Sequence, residues 1–95
     1  MSLIRPVLDA HVDSLQLALD LGADLGGCAP GHFDLLRGRR GGLAAVVLVA
    51  WADPLYMQPG HRGARARSAA LLGELHRLLV EHPERVCWAS NGTAL

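Results

Sequence analysis

Aromatic residues are scarce in this chain: one Phe, one Tyr and two Trp among 95 residues leave any core to be packed mainly by aliphatic side chains. Net charge of either sign is also missing, because nine basic residues balance nine acidic ones, so no overall field draws the chain to nucleic acid or to an anionic membrane. Cysteine is limited to Cys28 and Cys87, too far apart for a CxxC pair, and both are expected as free thiols of the small, buried, hydrophobic kind. The first residues lack the basic stretch and long apolar core of a signal peptide, with Pro6 falling where that core would continue, and a cytoplasmic location is the expectation. The longest apolar run, residues 43–52, is far short of the ~20 residues a helix needs to cross a bilayer, so no transmembrane segment is expected.

What is present is 51% hydrophobic content, enough for one small domain, arranged with readable periods. Pro6 restricts the chain before it, and the apolar residues Val7, Leu8, Ala10 and Val12 predict a strand over residues 7–12. Leu15, Leu17, Ala18, Leu19 and Leu21 then suit a short helix, with Asp13 or Ser14 as its N-cap and Gly22 as its stop. Four glycines and Pro30 mark residues 22–31 as a loop, and residues 34–39 predict a brief helical turn before Gly41-Gly42. Residues 43–51, rich in Val and Leu with no polar alternation, read as a parallel strand buried on both faces. A long helix is predicted over residues 63–82, its stripe of Leu71, Leu72, Leu75, Leu78 and Leu79 turned toward a sheet, with Arg67, Glu74, Arg77 and Glu81 in water. Residues 86–89 make a third short apolar run, after which Asn91-Gly92-Thr93 begins a turn. Strand, helix, strand, helix, strand without a hairpin signal argues for parallel pairing through crossovers, a βαβαβ arrangement.

Three ionisable residues in β-spacing stand out. Asp9, His11 and Asp13 are two apart, so if strand geometry persists through Asp13 all three project from one face. Burying a charge unpaired costs several kcal/mol, and a divalent metal at the C-terminal end of the strand would satisfy the group, since imidazole and carboxylate are both zinc ligands. The spacing alone is equally open to a capping Asp13 and a hydrogen-bonded His11. His32-Phe33-Asp34 has the same spacing in a loop and reads as a helix start with Asp34 near the cap.

Elsewhere the bland reading prevails. Glu74 and His76 are two apart on a helix and do not face each other. Arg62, Arg65 and Arg67 read as a solvated face, because no stacking aromatics accompany them. His61, Glu81, His82 and Glu84 bracket the ends of the long helix, where solvent and the dipole are their usual partners. Trp51 and Trp88 are expected to pack near the strand tops, and Tyr56 and Met57 to lie in the loop after the second strand, toward any substrate.

The run Val7-Leu8-Asp9-Ala10-His11-Val12-Asp13-Ser14 resembles the first strand of the membrane (renal) dipeptidase family, whose members open with an aspartate, a small residue, then a histidine and an aspartate one position apart. The similarity continues through His32-Phe33-Asp34-Leu35-Leu36-Arg37-Gly38-Arg39-Arg40-Gly41-Gly42-Leu43-Ala44-Ala45, which looks like that family's aspartate-leucine, arginine and double-glycine run into its second strand, and it extends over the long helix and residues 86–95. The resemblance implies the N-terminal βαβαβ portion of a TIM-like (β/α)8 barrel, with His11 and Asp13 as ligands of one zinc in a two-zinc site that hydrolyses dipeptides. The family's other ligands have no counterpart in these 95 residues, so a fragment inactive alone is expected, with open strand edges that favour self-association. Ala10 and Val12 replace the glycine and asparagine that relatives often carry. The rival expectation is a non-enzymatic small α/β interaction module or inert fragment, in which His11 and Asp13 bind nothing.

Overall fold

A computed structural model describes residues 5–54 and 63–94. Strand β1 spans Val7–Val12, helix α1 Leu15–Leu21, helix α2 Leu35–Arg40, strand β2 Leu43–Leu48 and helix α3 Ala64–Glu81, followed by a 3-10 turn over Gly92–Ala94. The fold is mixed α/β, with β1 and β2 paired in parallel as an open two-stranded sheet. Parallel strands cannot be joined by a tight hairpin, and α1, the glycine-rich loop and α2 form the return path. Gly22 ends α1 in a left-handed conformation (φ 66°) that a β-carbon would disfavour, and its amide donates to the Leu17 carbonyl.

The core lies between helices and not against the sheet. Leu15 and Ala18 from α1, Ala23, Leu25 and Ala29 from the loop, and Leu71 and Leu78 from α3 form one buried cluster. Leu71 and Leu78 are two turns apart on α3, so both fall on the face that joins this cluster of leucines and alanines. The leucine stripe therefore turns toward α1, a correction to the expected packing on a sheet, and Leu72, at its margin, is exposed. The sheet joins in at the C-terminal end of β2, through the partly buried Leu48 and, just beyond the strand, Ala50.

The sheet is correspondingly bare. Val7 and Leu8 are 49% and 58% exposed, and every β1 residue except Val12 faces solvent. The strand predicted over residues 86–89 is not formed: a cleft of about 910 Å³ lies between β2 and that segment. Strand pairing is a long-range match that apolar composition alone does not secure. Trp51 and Trp88, expected in the core, are 46% and 67% exposed because no third strand closes over them. β2 also ends at Leu48, three residues before the expected Trp51. No helix among the described residues is long and apolar enough to cross a membrane.

Candidate functional site

β1 delivers the Asp9, His11 and Asp13 run to the C-terminal end of the sheet. Its register with β2 runs Val7 opposite Leu43, Leu8 opposite Ala45, Asp9 opposite Val46 and Val12 opposite Leu48. Between Asp9 and Val12 the first strand advances one residue more than its partner, an irregularity that interrupts strict alternation. The His11 amide is taken up locally, donating to the Asp9 carboxylate at 3.1 Å. Asp9 thus has a backbone-capping role at the irregularity, and the expectation of three aligned side chains on one buried face is replaced by an exposed Asp9 and His11 and a half-buried Asp13. Water meets the charges, so no metal is required to offset their burial.

Asp13 lies just past the strand, where its Oδ1 accepts a 3.4 Å hydrogen bond from the Gln16 side chain and its carbonyl accepts from the Gln16 amide. Ser14 holds the N-cap position of α1 but makes no side-chain cap bond. As donors His11 and Asp13 suit zinc in chemistry and in their place beside the ends of both strands. They amount to two ligands where zinc takes three or four, and among the described residues no third metal-capable side chain gathers with them. Tyr56, Met57, His61 and Arg62 lie outside the described residues.

The second quoted run, Asp34 to Gly42, forms a clamp. Asp34 is fully buried and caps α2: its Oδ1 accepts from the Arg37 amide at 2.8 Å, while its Oδ2 accepts from Arg37 Nε at 2.7 Å and from the Ala29 amide at 3.3 Å. Arg37 continues outward, donating to the carbonyls of Gly31 and Ala29. Burial pushes the Asp34 carboxyl up, but the Arg37 and Ala29 amides and the Arg37 guanidinium more than offset this and hold it below the usual carboxylate range. The helix start and the cap expected at Asp34 are both present. The fork of Arg37 back to the loop was not visible in the spacing.

A third constellation joins parts of the chain far apart in sequence. Asp24, in the glycine-rich loop, meets His82, the C-cap of α3, with Nε2 and Oδ1 2.9 Å apart. Glu81 brings its carboxylate to the same place, so that ligand atoms of Asp24, Glu81 and His82 all lie within 4.8 Å of one another. Gly26 makes room for the imidazole, since a β-carbon there would sit 2.0 Å from His82 Cδ2. Desolvation raises the Asp24 pKa, yet the Gly26 amide and His82, with help from the charge of Arg77, leave it below its ordinary value. Sequence reading placed Glu81 and His82 with solvent; the available signal was an acid at the C-terminal end of a helix, where the dipole disfavours it.

Arg67 also departs from expectation. It is not part of a solvated face: NH1 and NH2 fork onto both Asp20 carboxylate oxygens at 2.6 and 2.7 Å, tying α3 to α1. Arg65 is exposed as predicted. Cys28 and Cys87 are free, as expected, but exposed and not buried. Comparison of the chain with protein-family models, curated proteins and solved structures returned no match.

Proposed function

We propose that this chain forms part of a zinc-dependent dipeptidase, with His11 and Asp13 holding one ion of a two-zinc centre. The observation that carries the reading is the position of His11 and Asp13 at the C-terminal end of β1, the end at which a (β/α)8 barrel builds its active site. The parallel pairing of β1 with β2 is the arrangement such a barrel needs, and the order of the two quoted runs agrees with the family pattern. Bound zinc would supply a hydroxide nucleophile at neutral pH and polarise the scissile carbonyl. The role of this chain's residues is to present one imidazole and one carboxylate at the strand end, with Asp9 fixing the local backbone.

The test is hydrolysis of a dipeptide panel by the longer gene product that contains this chain, with metal content by elemental mass spectrometry, beside its His11→Ala variant and the 95 residues alone, which are expected to be inactive. His11 is exposed, so the variant should keep its stability within about 0.5 kcal/mol. Hydrolysis that disappears in the variant supports the reading; no hydrolysis, or hydrolysis indifferent to His11, removes it. The exposed sheet favours the second reading, a small α/β interaction module, which predicts no hydrolysis and no contribution of His11 to metal binding.

A further inference from the structure

The Asp24, Glu81 and His82 group is separate from the β1 residues and does not depend on the dipeptidase reading. A simple histidine–aspartate hydrogen bond would account for His82 and Asp24 alone. It would not account for two more carboxylates around the same ring: Glu81, whose oxygen falls within the same 4.8 Å group, and Glu84, whose Oε1 stands 3.9 Å from His82 Nδ1. All three of Glu81, His82 and Glu84 sit at the C-terminal end of α3, where the helix dipole is unfavourable to carboxylates and favourable to a cation. The nearby guanidiniums hydrogen-bond to other groups, Arg77 to the Glu74 carboxylate and Arg85 to the Gly26 carbonyl; Arg77 reaches Asp24 and Glu81 only through space, and Arg85 Nε stands 3.7 Å from Glu84. Beside the group, a small cavity of about 10 Å³ is lined by Ala18, Ala23, Leu25 and Leu78 on its apolar side and by Asp24, Glu74, Arg77 and Glu81 on its polar side.

We propose that Asp24, Glu81 and His82 bind one zinc ion, which pins the glycine-rich loop to the end of α3. One imidazole nitrogen and two carboxylate oxygens are a zinc donor set, and the imidazole selects zinc over magnesium or calcium. Ligand atoms around a tetrahedral zinc stand about 3.3 Å apart, given bonds near 2.0–2.1 Å. The 2.9 Å separation of His82 and Asp24 opens by a few tenths of an ångström, and the wider separations close through rotation of the exposed Asp24 and Glu81 side chains. Gly26 leaves the room the ring occupies, and Glu84 stands 3.9 Å from Nδ1, from where rotation of its exposed side chain would bring it into hydrogen-bond reach as an outer-shell partner of the imidazole.

The experiment uses the whole chain stripped with chelator, then equilibrated with zinc, with metal content measured after dialysis, and with cobalt(II) to read geometry from its visible absorption. Wild type and His11→Ala should each bind zinc at this site, with tetrahedral cobalt bands and a higher thermal midpoint. His82→Ala and Asp24→Asn should each lose one zinc per chain together with those bands, and Glu84→Gln should weaken binding about 10- to 100-fold. Asp24→Asn is a surface change that keeps the chain folded even where His82→Ala does not, with circular dichroism as the check. Zinc content unchanged by both substitutions, or no zinc bound by wild type, overturns the proposal. Zinc lost in His11→Ala and kept in His82→Ala would also overturn it, while leaving the dipeptidase reading in place.

Discussion

Removing the Asp34 carboxylate should destabilise the protein strongly, because one buried group serves three donors at once. In Asp34→Ala the cap of α2 is lost, at a cost of about 1 kcal/mol. The charge-assisted bond from Arg37 Nε would add about 1.5–3 kcal/mol if buried, reduced here because the Arg37 side chain is 43% exposed. The Ala29 amide, left without its acceptor, adds about 1 kcal/mol or more. The sum is about 3–4 kcal/mol, a large part of the total stability of a domain this size and equivalent to a fall in thermal midpoint of at least about 12 °C. Asp34→Asn separates the contributions. Its carbonyl oxygen can still cap the Arg37 amide, whereas its amide group points donors at Arg37 Nε and the Ala29 amide, so it should lose nearly as much as alanine does. Urea unfolding followed by far-ultraviolet circular dichroism measures both. A loss of about 1 kcal/mol in Asp34→Ala, the size of a cap alone, would refute the idea that the clamp organises the loop.

Acid should act through the same group. Asp34 and Asp24 are both held below their ordinary values, so each contributes stability above its unfolded-state pKa of about 3.9 that disappears as pH falls through the lower folded value; unfolding free energy measured from pH 6 downward should decline most steeply below about pH 4, and less steeply in Asp34→Asn. The Arg67 and Asp20 fork is bidentate and mostly shielded, so a double-mutant cycle with Arg67→Ala and Asp20→Ala should give a coupling of about 1 kcal/mol, against near zero for a fully solvated pair. Gly26→Ala places a methyl group inside the His82 ring contact and should cost about 1–3 kcal/mol in thermal or urea unfolding, while Gly73→Ala, with open space around it on α3, should be neutral or stabilising.

The elements that could be read from the sequence are those built on local periods and punctuation. β1 appears at its expected bounds, α1 stops at Gly22, and α3 ends at Glu81, one residue inside the expected His82. Each is specified by residues within a few positions of one another. What could not be read depends on distant partners. The third strand fails because residues 86–89 are strand-like in composition but do not reach the free edge of β2. The direction of the Leu71 and Leu78 stripe depends on whether α1 or a sheet offers the better surface. His82 and Asp24 are 58 residues apart, and no local rule pairs them. Within the candidate site, residue types and placement at the end of β1 were legible, but the irregularity between Asp9 and Val12 was not, since it exists only in the register with β2.

The asymmetric attachment of the sheet bears on how the molecule opens. Leu48 at the C-terminal end of β2 and Ala50 just beyond it pack against the helical cluster, while Val7 and Leu8 at the start of β1, the opposite end of the sheet, are exposed. Amide exchange should therefore run as a gradient along the two strands, fastest where Val7 donates to Gly42 and slowest where Val49 donates to Val12. The helical cluster would remain closed through most of these events. The strand end carrying His11 and Asp13 is thus the anchored end of a sheet that frays from its far side, so the residues at that end keep their positions while the rest of the strand breathes.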